Sequence, residues 1–536
     1  MQTEGAEKLL KLMYKTLKMR IFACKLRILG EKMTSRTYDY LVGWLSQALE
    51  RVYAERFRSQ FKAYQVRGLG ATDKKIWMSR VLMLRAVVRG AICESDERMM
   101  LIDARTGLMC AYNGLYFELA EEPEFFLMEL LKRTFRAMGI GAWYNDEYPA
   151  REIARNCYNS MRVDDRFIFV PNKRYIAFQN GVFDLEDGKL KKGRVEYRPY
   201  MIMDFDYMQK DMLYAGCSEK YGMINNPCRL WDKKITEIIP NKERREVFQQ
   251  WCGSLLIDRD RYKQEYVAYL IGPGSNGKSV LANTIAGLFG EQYFSRFTLR
   301  QLFKDDFRNN RANLRGKIAN LIDDMDERCI GGDDFKSIAS GALLEARELY
   351  CKRTFKVAAP PILCCTNAMP ESYDDSYGQH RRQLPIYTTT KVFIGDDRDP
   401  ELTHKLTCKA ARCYIFSWIY EGYKRLIANG GEIRLSDTVK ADCDALLANS
   451  NNMRRWWKHS GYMALTTFQG LDKWKSQKEI MADYKTFADM EGTHKRTLAD
   501  VCSMLESKGC LRHHTSAGWG YCMAKMDYLA DGVETE

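Results

Sequence analysis

The residues whose types and spacing most clearly indicate a chemical function form a glycine-rich segment in the middle of the chain. The segment reads G-x-x-x-x-G-K-S and consists of Gly272, Pro273, Gly274, Ser275, Asn276, Gly277, Lys278 and Ser279. An apolar run precedes it and a helical pattern follows, which predicts a strand, a loop and a helix in that order. Glycines let such a loop wrap around phosphates, so that backbone N–H groups and the helix amino terminus face the anion. The pattern predicts an ATP site in which Lys278 reaches the β- and γ-phosphates and Ser279 ligates Mg²⁺.

Two carboxylates follow a second apolar run. Ile318–Ile322 leads directly into Asp323 and Asp324. A strand that ends in carboxylates beside a phosphate site can place one of them on Mg²⁺ and use the other to polarise the attacking water. A solvated acidic turn is the alternative, but the upstream loop favours the catalytic interpretation. We expect Asp323 to be the metal ligand, and the pattern leaves open which carboxylate activates water.

A third apolar run, Pro361–Cys365, ends in Thr366 and Asn367. An amide at the tip of a strand beside a phosphate site can sense the γ-phosphate or hold the lytic water, although Asn is also an ordinary turn former. Farther on, Arg381 and Arg382 precede a further strand pattern. An arginine in this position can act as a finger that reaches a nucleotide bound by a neighbouring subunit. The sequence leaves open which of the two arginines does so.

Taken as a set, these motifs resemble those of superfamily 3 helicases, in particular the phage and plasmid primase–helicase family that also has poxvirus members. The resemblance rests on the Gly272–Ser279 loop, the Ile318–Asp324 strand, the Pro361–Asn367 strand and the Arg381–Arg382 pair. It extends loosely upstream to about residue 95. The acidic strand departs from the family, which usually has Glu where this chain has Asp324. Residues 1–260 contain no convincing acidic triad or zinc ribbon of a primase.

The resemblance implies an AAA+-like P-loop ATPase that forms a hexameric ring and moves along single-stranded DNA. It implies that each active site lies between two subunits of this homo-oligomer. A DNA-contacting hairpin is also implied, with its tip near Lys352 and Arg353. A basic tip between aromatic residues suits a loop that tracks a strand, while an ordinary exposed turn is the alternative.

The elements that must position these residues belong to an α/β chain. Strands and helices alternate from about Tyr266 to residue 392, as in a parallel α/β domain. The last 65 residues predict two helices and a hairpin, which is the outline of a winged helix. We therefore predict four parts. Residues 1–90 form a basic helical region and residues 91–235 a mixed α+β domain. Residues 236–395 form an ATPase domain, and residues 396–536 form a helical extension with a winged-helix-like domain.

The charge is concentrated at one end of the chain. Of the net charge of +13, residues 1–90 carry +12, with 19 Lys and Arg against 7 Asp and Glu. Lys8, Lys11, Lys15 and Lys18 recur at helical spacing between apolar residues, which predicts an amphipathic helix. A polyanion such as DNA is the natural partner of such a segment, and a solvated helical face or a protein-docking arm is the alternative.

Composition excludes several classes of protein. With 46% hydrophobic and 12% aromatic residues the chain is neither disordered nor fibrous. No apolar run reaches 18 residues, so we expect no membrane partner. The 17 cysteines include no Cys-x-x-Cys pair and suggest reduced, mostly buried thiols in a cytoplasmic protein.

These features predict an ATP-dependent DNA helicase for replication of a phage, virus or plasmid-like element, with other replication proteins as further partners. A bifunctional primase–helicase and an ATP-switched origin-binding initiator remain open as alternatives. Arg512, His513 and His514 near the C-terminus form either a phosphate contact on the wing or an exposed polar loop.

Overall fold

A computed structural model describes most of the 536 residues. The described ranges are 35–52, 85–94, 98–103, 108–138, 147–222, 226–303, 308–323, 333–347, 354–369, 377–449, 452–493 and 495–525. Predictions for the Lys8–Lys18 helix, for Asp324 and for Lys352 and Arg353 fall outside these ranges. Contacts within the chain divide it into two compact units, Met1–Tyr207 and Met208–Glu536. The predicted boundary at residue 235 lies inside a helix of the second unit, and the division into four domains stays a prediction.

The helices of the first unit bury one face each. Residues 85–93 are helical, and the other described helices are α1 Ser35–Val52, α2 Pro123–Ala137 and α3 Glu147–Arg162. In α1, Leu41, Leu45 and Leu49 are buried at a spacing of four residues, which places them on one side of the helix. The described part of residues 1–90, at 35–52 and 85–90, is helical.

The strands of the first unit form two four-stranded sheets. The first has the order β3-β2-β1-β4, from Phe117–Ala120, Met109–Tyr112, Met100–Asp103 and Ile168–Phe169. The second has the order β7-β6-β5-β8, from Lys189–Lys191, Gly181–Asp184, Asn172–Phe178 and Pro199–Ile202. Each sheet combines parallel and antiparallel pairs, as expected of a mixed α+β region.

A five-stranded sheet organises the second unit, and every neighbouring pair of its strands is parallel. Its order is β10-β11-β14-β9-β15, from Phe294–Ser295, Ala319–Ile322, Ile362–Thr366, Val267–Ile271 and Gln383–Tyr387. Strand β9, which has a neighbour on each side, is buried along its whole length, which explains its continuous run of apolar residues. Each of the strands β9, β11 and β14 begins one residue after the first residue of the apolar run that predicts it.

The second unit is also rich in helices. Those of the second unit are α4 Lys210–Tyr221, α5 Pro227–Ile238, α6 Lys242–Ser254, α7 Lys278–Phe289, α8 Leu299–Phe303, α9 Arg308–Arg311, α10 Asp333–Ala339, α11 Tyr377–His380, α12 Leu402–Leu406, α13 Lys409–Ala428, α14 Asp437–Asn449, α15 Asn452–Ser460, α16 Gln477–Met490 and α17 Leu498–Ser507. Helices α6 and α13 cross at glycines, because a Cβ on Gly253 would lie 2.3 Å from the Tyr423 nitrogen and one on Gly422 would lie 2.1 Å from the Gln249 oxygen. None of the helices in the described ranges is both long and apolar enough to cross a membrane.

Two antiparallel arrangements complete the second unit. Strands β12 (Leu343–Arg347) and β13 (Thr354–Ala358) pair with each other, with Arg347 opposite Thr354. The C-terminal sheet consists of β16 Tyr462–Ala464, β17 Trp474–Ser476, β18 Arg512–Thr515 and β19 Gly518–Lys525. The predicted order of two helices and a hairpin is present as α16, α17, β18 and β19. Of the 17 cysteines, the 14 in the described ranges are all free and eleven of them are buried.

Candidate functional site

Three neighbouring strands deliver the predicted site residues to one edge of the five-stranded sheet. Strand β9 runs into Gly272, β11 into Asp323 and β14 into Asn367. Strand β14 lies between β9 and β11 and is parallel to both. Their carboxyl ends therefore share one edge, where ligands of open parallel sheets usually bind.

The loop between β9 and α7 has the backbone that its glycines permit. Gly277 caps α7 with φ +94°, and a Cβ there would lie 2.6 Å from Cδ1 of Ile238. A Cβ on Gly272 would lie 2.2 Å from Oγ1 of Thr388. Gly277 is therefore required for its positive φ, and at both Gly272 and Gly277 a larger residue would have no space for its Cβ. Gly274 has open space around its Cα and is the place where a ligand can approach the backbone.

The segment after β15 holds this loop in place. The buried side chain of Asn276 donates from Nδ2 to Oγ1 of Thr388 at 2.6 Å and to the carbonyl of Thr389 at 2.9 Å. The backbone N–H of Phe393 donates to the carbonyl of Ser275 at 2.8 Å. Sequence reasoning did not identify this segment, since nothing in three consecutive threonines indicates a partner more than 110 residues away.

Lys278 is buried, with 7% of its surface exposed, and its ammonium group points back into the loop. Nζ donates to the carbonyl oxygens of Gly272 at 2.6 Å and Pro273 at 2.7 Å. It also donates to the amide oxygens of Asn276 at 3.1 Å and Asn367 at 3.3 Å. The structure therefore brings together Lys278 and Asn367, two residues that are 89 positions apart and were predicted to share a site.

Asp323 has a partner that the sequence did not predict. Its Oδ2 accepts from NH1 of Arg296 at 2.5 Å, and NH2 of the same arginine donates to Oδ1 of Asn283 on α7 at 2.8 Å. Arg296 follows β10, a strand of only two residues, which is too short to be recognised from its pattern. Burial and the nearby Asp323 raise the pKa of the Cys365 thiol to about 12, so this thiol is protonated at neutral pH.

The arginine pair lies at the opposite edge of the sheet from the loop. Gln383, which follows it, is opposite Val267 at the start of β9, whereas Tyr387 is opposite Ile271 at the end. Five residues of β-strand span about 16 Å, so neither arginine belongs to the edge that its own loop occupies. Sequence spacing alone does not indicate this separation.

The two arginines have different surroundings. Arg382 has a side chain that is 12% exposed; it donates from Nε to Oγ of Ser340 at 3.1 Å and from NH1 to the carbonyl of Gly378 at 2.5 Å. Arg381 is 41% exposed and forms an ion pair with Glu265. Burial alone would raise the pKa of Glu265, but Arg381 and Arg382 outweigh that effect and lower it.

The donor atoms of the site are those that a nucleotide-bound Mg²⁺ would use. Ser279 is exposed in the first turn of α7, and the side chain of Asp323 is 46% exposed. Mg²⁺ commonly takes one or two protein oxygens and completes its shell with phosphates and water, which this hydroxyl and carboxylate can accommodate. In the described ranges, no three His, Cys, Asp or Glu side chains form a metal cluster by themselves.

The predicted hairpin can be located only by its strands. Lys352 and Arg353 lie outside the described residues, between β12 and β13. Phe355, the aromatic residue on the far side of the predicted tip, has the guanidinium carbon of Arg315 4.1 Å from its ring centroid. This aromatic ring is therefore packed under an arginine.

One known protein family matches the same part of the chain. Residues 270–382 match a family described as a family of unknown function, DUF5906. This segment contains the glycine-rich loop, Asp323, Asn367 and both arginines. It is about a fifth of the chain.

The chain is also similar to a curated viral protein named "Putative helicase L207/L206", from Acanthamoeba polyphaga mimivirus. The two are 27% identical over 243 residues, which is 44% of this chain. The matched stretch spans only 23% of the length of the mimivirus protein.

Among solved structures, two apo forms of the NrS-1 C-terminal region are similar in outline. One covers 80% of this chain and 95% of its own, with 10% identity and a TM-score of 0.40. The other covers 79% and 96%, with 12% identity and a TM-score of 0.36. Likenesses this distant carry no argument about function.

Proposed function

We propose that this protein is an ATP-dependent DNA helicase of the superfamily 3 type, with an AAA+-like P-loop core, that acts in replication of a virus, phage or plasmid-like element in the host cytoplasm. The observation that carries the proposal is the contact between Lys278 Nζ and Asn367 Oδ1 at 3.3 Å, at an edge that also receives Asp323. A phosphate-binding lysine next to a strand-end amide and a carboxylate is the arrangement that ATP hydrolysis requires. The similarity to a viral protein named as a helicase supports the same class.

In this proposal the loop binds the phosphates of ATP. Backbone N–H groups of Gly274–Ser279 and the amino terminus of α7 face the anion, and Lys278 exchanges its carbonyl partners for phosphate oxygens. In the absence of ATP, the carbonyl and amide oxygens around Lys278 hold its ammonium group at the phosphate-binding loop. Ser279 and Asp323 would hold Mg²⁺, which would supply positive charge beside the phosphates.

The hydrolytic step would use the carboxylates and the amide. Asp323 or Asp324 polarises the attacking water, and Asn367 holds that water or senses the γ-phosphate. Arg296 holds Asp323 by a charge-assisted hydrogen bond and so fixes the direction of its carboxylate. We assign Arg296 a positioning role.

The arginine pair supports a site shared between subunits. An arginine about 16 Å from its own loop can complete only the site of a neighbouring copy, as in a ring of identical subunits. We assign the finger to Arg381, since it is exposed and has an ion-pair partner that a phosphate can replace. Arg382 is nearly buried, donates to Ser340 and Gly378 and also lies 3.5 Å from Oε2 of Glu265, so it would anchor the strand that carries the finger.

DNA would be contacted by the hairpin of β12 and β13. We keep Lys352 and Arg353 as the DNA-binding residues of its tip. A basic tip bound to the phosphate backbone of one strand would convert subunit motions into movement of that strand.

The test is strand displacement by the purified chain on forked DNA, with ATP and Mg²⁺. Displacement that stops in the Lys278→Ala variant would support the helicase assignment. Hydrolysis with melting of one specific duplex, and no displacement of forks, would instead indicate an initiator. Primer synthesis on a single-stranded template would indicate a primase–helicase.

A further inference from the structure

An exposed tryptophan lies on the C-terminal hairpin, far along the chain from the motifs described above. The side chain of Trp519 is 50% exposed, although tryptophans elsewhere in this unit, such as Trp231 and Trp456, are fully buried. Burying an indole removes a large apolar surface from water. A tryptophan that stays half exposed on a β-hairpin is therefore available to stack on a flat ligand.

Cationic and aromatic side chains frame this indole. Trp519 is directly opposite His514 in the hairpin, and Arg512 lies two residues from His514 on the same face. The guanidinium carbon of Arg512 is 4.7 Å from the centroid of the indole ring. The imidazole of His514 meets the indole edge-on, with the centroids 4.9 Å apart.

The other face of the hairpin fixes its position. The ring of His513 stacks on Phe468 with centroids 4.2 Å apart, and the backbone carbonyl of His513 accepts from Nε1 of Trp474 at 3.2 Å. Gly520 makes this packing possible, since a Cβ there would lie 2.4 Å from the Trp474 ring. Tyr521 anchors the next position by donating its hydroxyl to Glu506 at 2.7 Å. The indole is thus presented by an ordered scaffold.

The charge of this segment favours an anionic ligand. Residues 507–525 contain Lys508, Arg512 and Lys525 and no Asp or Glu, and the carboxylate of Glu506, which directly precedes them, accepts from Tyr521. A planar aromatic surface beside an arginine suits a ligand that combines a flat ring with a phosphate. An unpaired nucleotide has both, since its base face is accessible and its phosphate is adjacent.

We propose that the β18–β19 hairpin is a binding site for single-stranded nucleic acid, in which an unpaired base stacks on Trp519 and the neighbouring phosphate pairs with Arg512. Duplex DNA would not use this site in the same way, because its bases are stacked on one another. The site lies outside the predicted ATPase domain, and it would bind a strand in the absence of ATP. It would act as a second point of contact in addition to the motor.

The first test is the affinity of the full-length chain, without nucleotide, for a fluorescein-labelled oligothymidylate. We expect Trp519→Ala to weaken binding about tenfold, and Trp519→Phe to retain most of the affinity, because a smaller ring still stacks. Phe125→Ala is the matched control, since Phe125 is a 55% exposed aromatic residue of the first unit. Arg512→Gln should reduce the slope of log affinity against log salt by about 0.7.

The second test locates the contact directly. A bromouracil-substituted strand, irradiated in complex with the wild-type chain, should crosslink within residues 512–519. Crosslinks found only elsewhere would overturn the proposal, and so would equal affinities of the wild type and Trp519→Ala. A duplex that binds as well and is weakened equally by Trp519→Ala would also overturn it. None of these readouts needs hydrolysis, so they are independent of the helicase assignment.

Discussion

Two buried charges, one in each unit, lie in different settings. Asp184 in the first unit is fully buried and accepts from Nε and NH2 of Arg174 at 2.8 and 2.7 Å and from Nζ of Lys191 at 2.6 Å. Lys278 in the second unit is almost as buried, but the four oxygens described around its ammonium belong to carbonyls and amides. Oppositely charged side chains compensate Asp184 within a sheet, whereas the ammonium group of Lys278 lies against the backbone of a glycine-rich loop.

This difference separates a structural charge from a functional one. A buried ion with oppositely charged partners is compensated, and removing one member leaves the others unpaired. Lys278 lies in the glycine-rich loop, where its ammonium group can exchange carbonyl oxygens for the phosphate oxygens of a ligand. The first arrangement stabilises a sheet, and the second is suited to meet the phosphates of a ligand.

The largest effect that we expect comes from Lys278→Ala. Its ATP turnover should fall to background, because no other side chain replaces the ammonium at the phosphates. Its thermal midpoint should stay within about 3 °C of the wild type. Lys424→Ala, at a half-exposed lysine on α13, is the control and should keep full turnover. A large fall in stability would show that Lys278, like Asp184, mainly stabilises the fold.

The second prediction separates the two arginines. Arg381→Ala should reduce turnover about a thousandfold, which is the usual size of an arginine-finger effect, and leave stability unchanged. Arg382→Ala should lower the thermal midpoint, since it removes a nearly buried side chain that bonds Ser340 and Gly378.

Mixed subunits provide the control for this assignment. Arg381→Ala and Lys278→Ala chains are each expected to be inactive alone, and their mixture should recover turnover, because one supplies the loop and the other the finger. Without recovery, the assignment of Arg381 as a finger in trans would be wrong.

The third prediction concerns stability. Asp184→Asn should lower the free energy of unfolding by about 2–3 kcal/mol, because Arg174 and Lys191 lose the buried carboxylate that they share and keep only Glu186 and Asp187 as partners. Urea unfolding gives this number. Asp187→Asn is the matched control: Asp187 also pairs with Lys191, but it is 38% exposed and should contribute less than about 1 kcal/mol. Equal effects of the two variants would contradict the comparison.

The smallest effect that we expect is the pH dependence of the stabilisation that Asp184 provides. Burial alone would raise the pKa of Asp184, but hydrogen bonds from Arg174 and Lys191 outweigh burial and lower it to about 2. Because the folded-state pKa lies below the ordinary value of about 3.9, the stabilisation is present above pH 4 and is lost as the pH falls toward 2. The stability difference between the wild type and Asp184→Asn should therefore be constant from pH 8 to 5 and shrink below pH 4. A difference that does not shrink would show that Asp184 is held by packing alone.

The sequence predicted the parts of the site that lie at strand ends. Apolar runs of five or six residues located β9, β11 and β14 to within one residue, and parallel strands place their ends together. That rule was enough to associate Gly272, Asp323 and Asn367. The helix, helix and hairpin at the C-terminus were also located from turn residues and periodicity.

The residues that were missed have partners distant in sequence. Arg296 reaches Asp323 from a strand too short to predict, and Thr388 reaches Asn276 across 112 positions. Glu265 precedes β9 and meets Arg381 because the two strands start side by side. Such contacts depend on strand order, and no local pattern in a single sequence contains that order.

The most direct test of the central claim is calorimetric titration of the purified wild-type chain with ATP in the presence of Mg²⁺, repeated with Lys278→Ala. Binding by the wild type, with affinity strongly reduced in the variant, is the result that this account predicts. Equal affinities, or no binding to the wild type, would contradict it, because the loop would then not be a phosphate site.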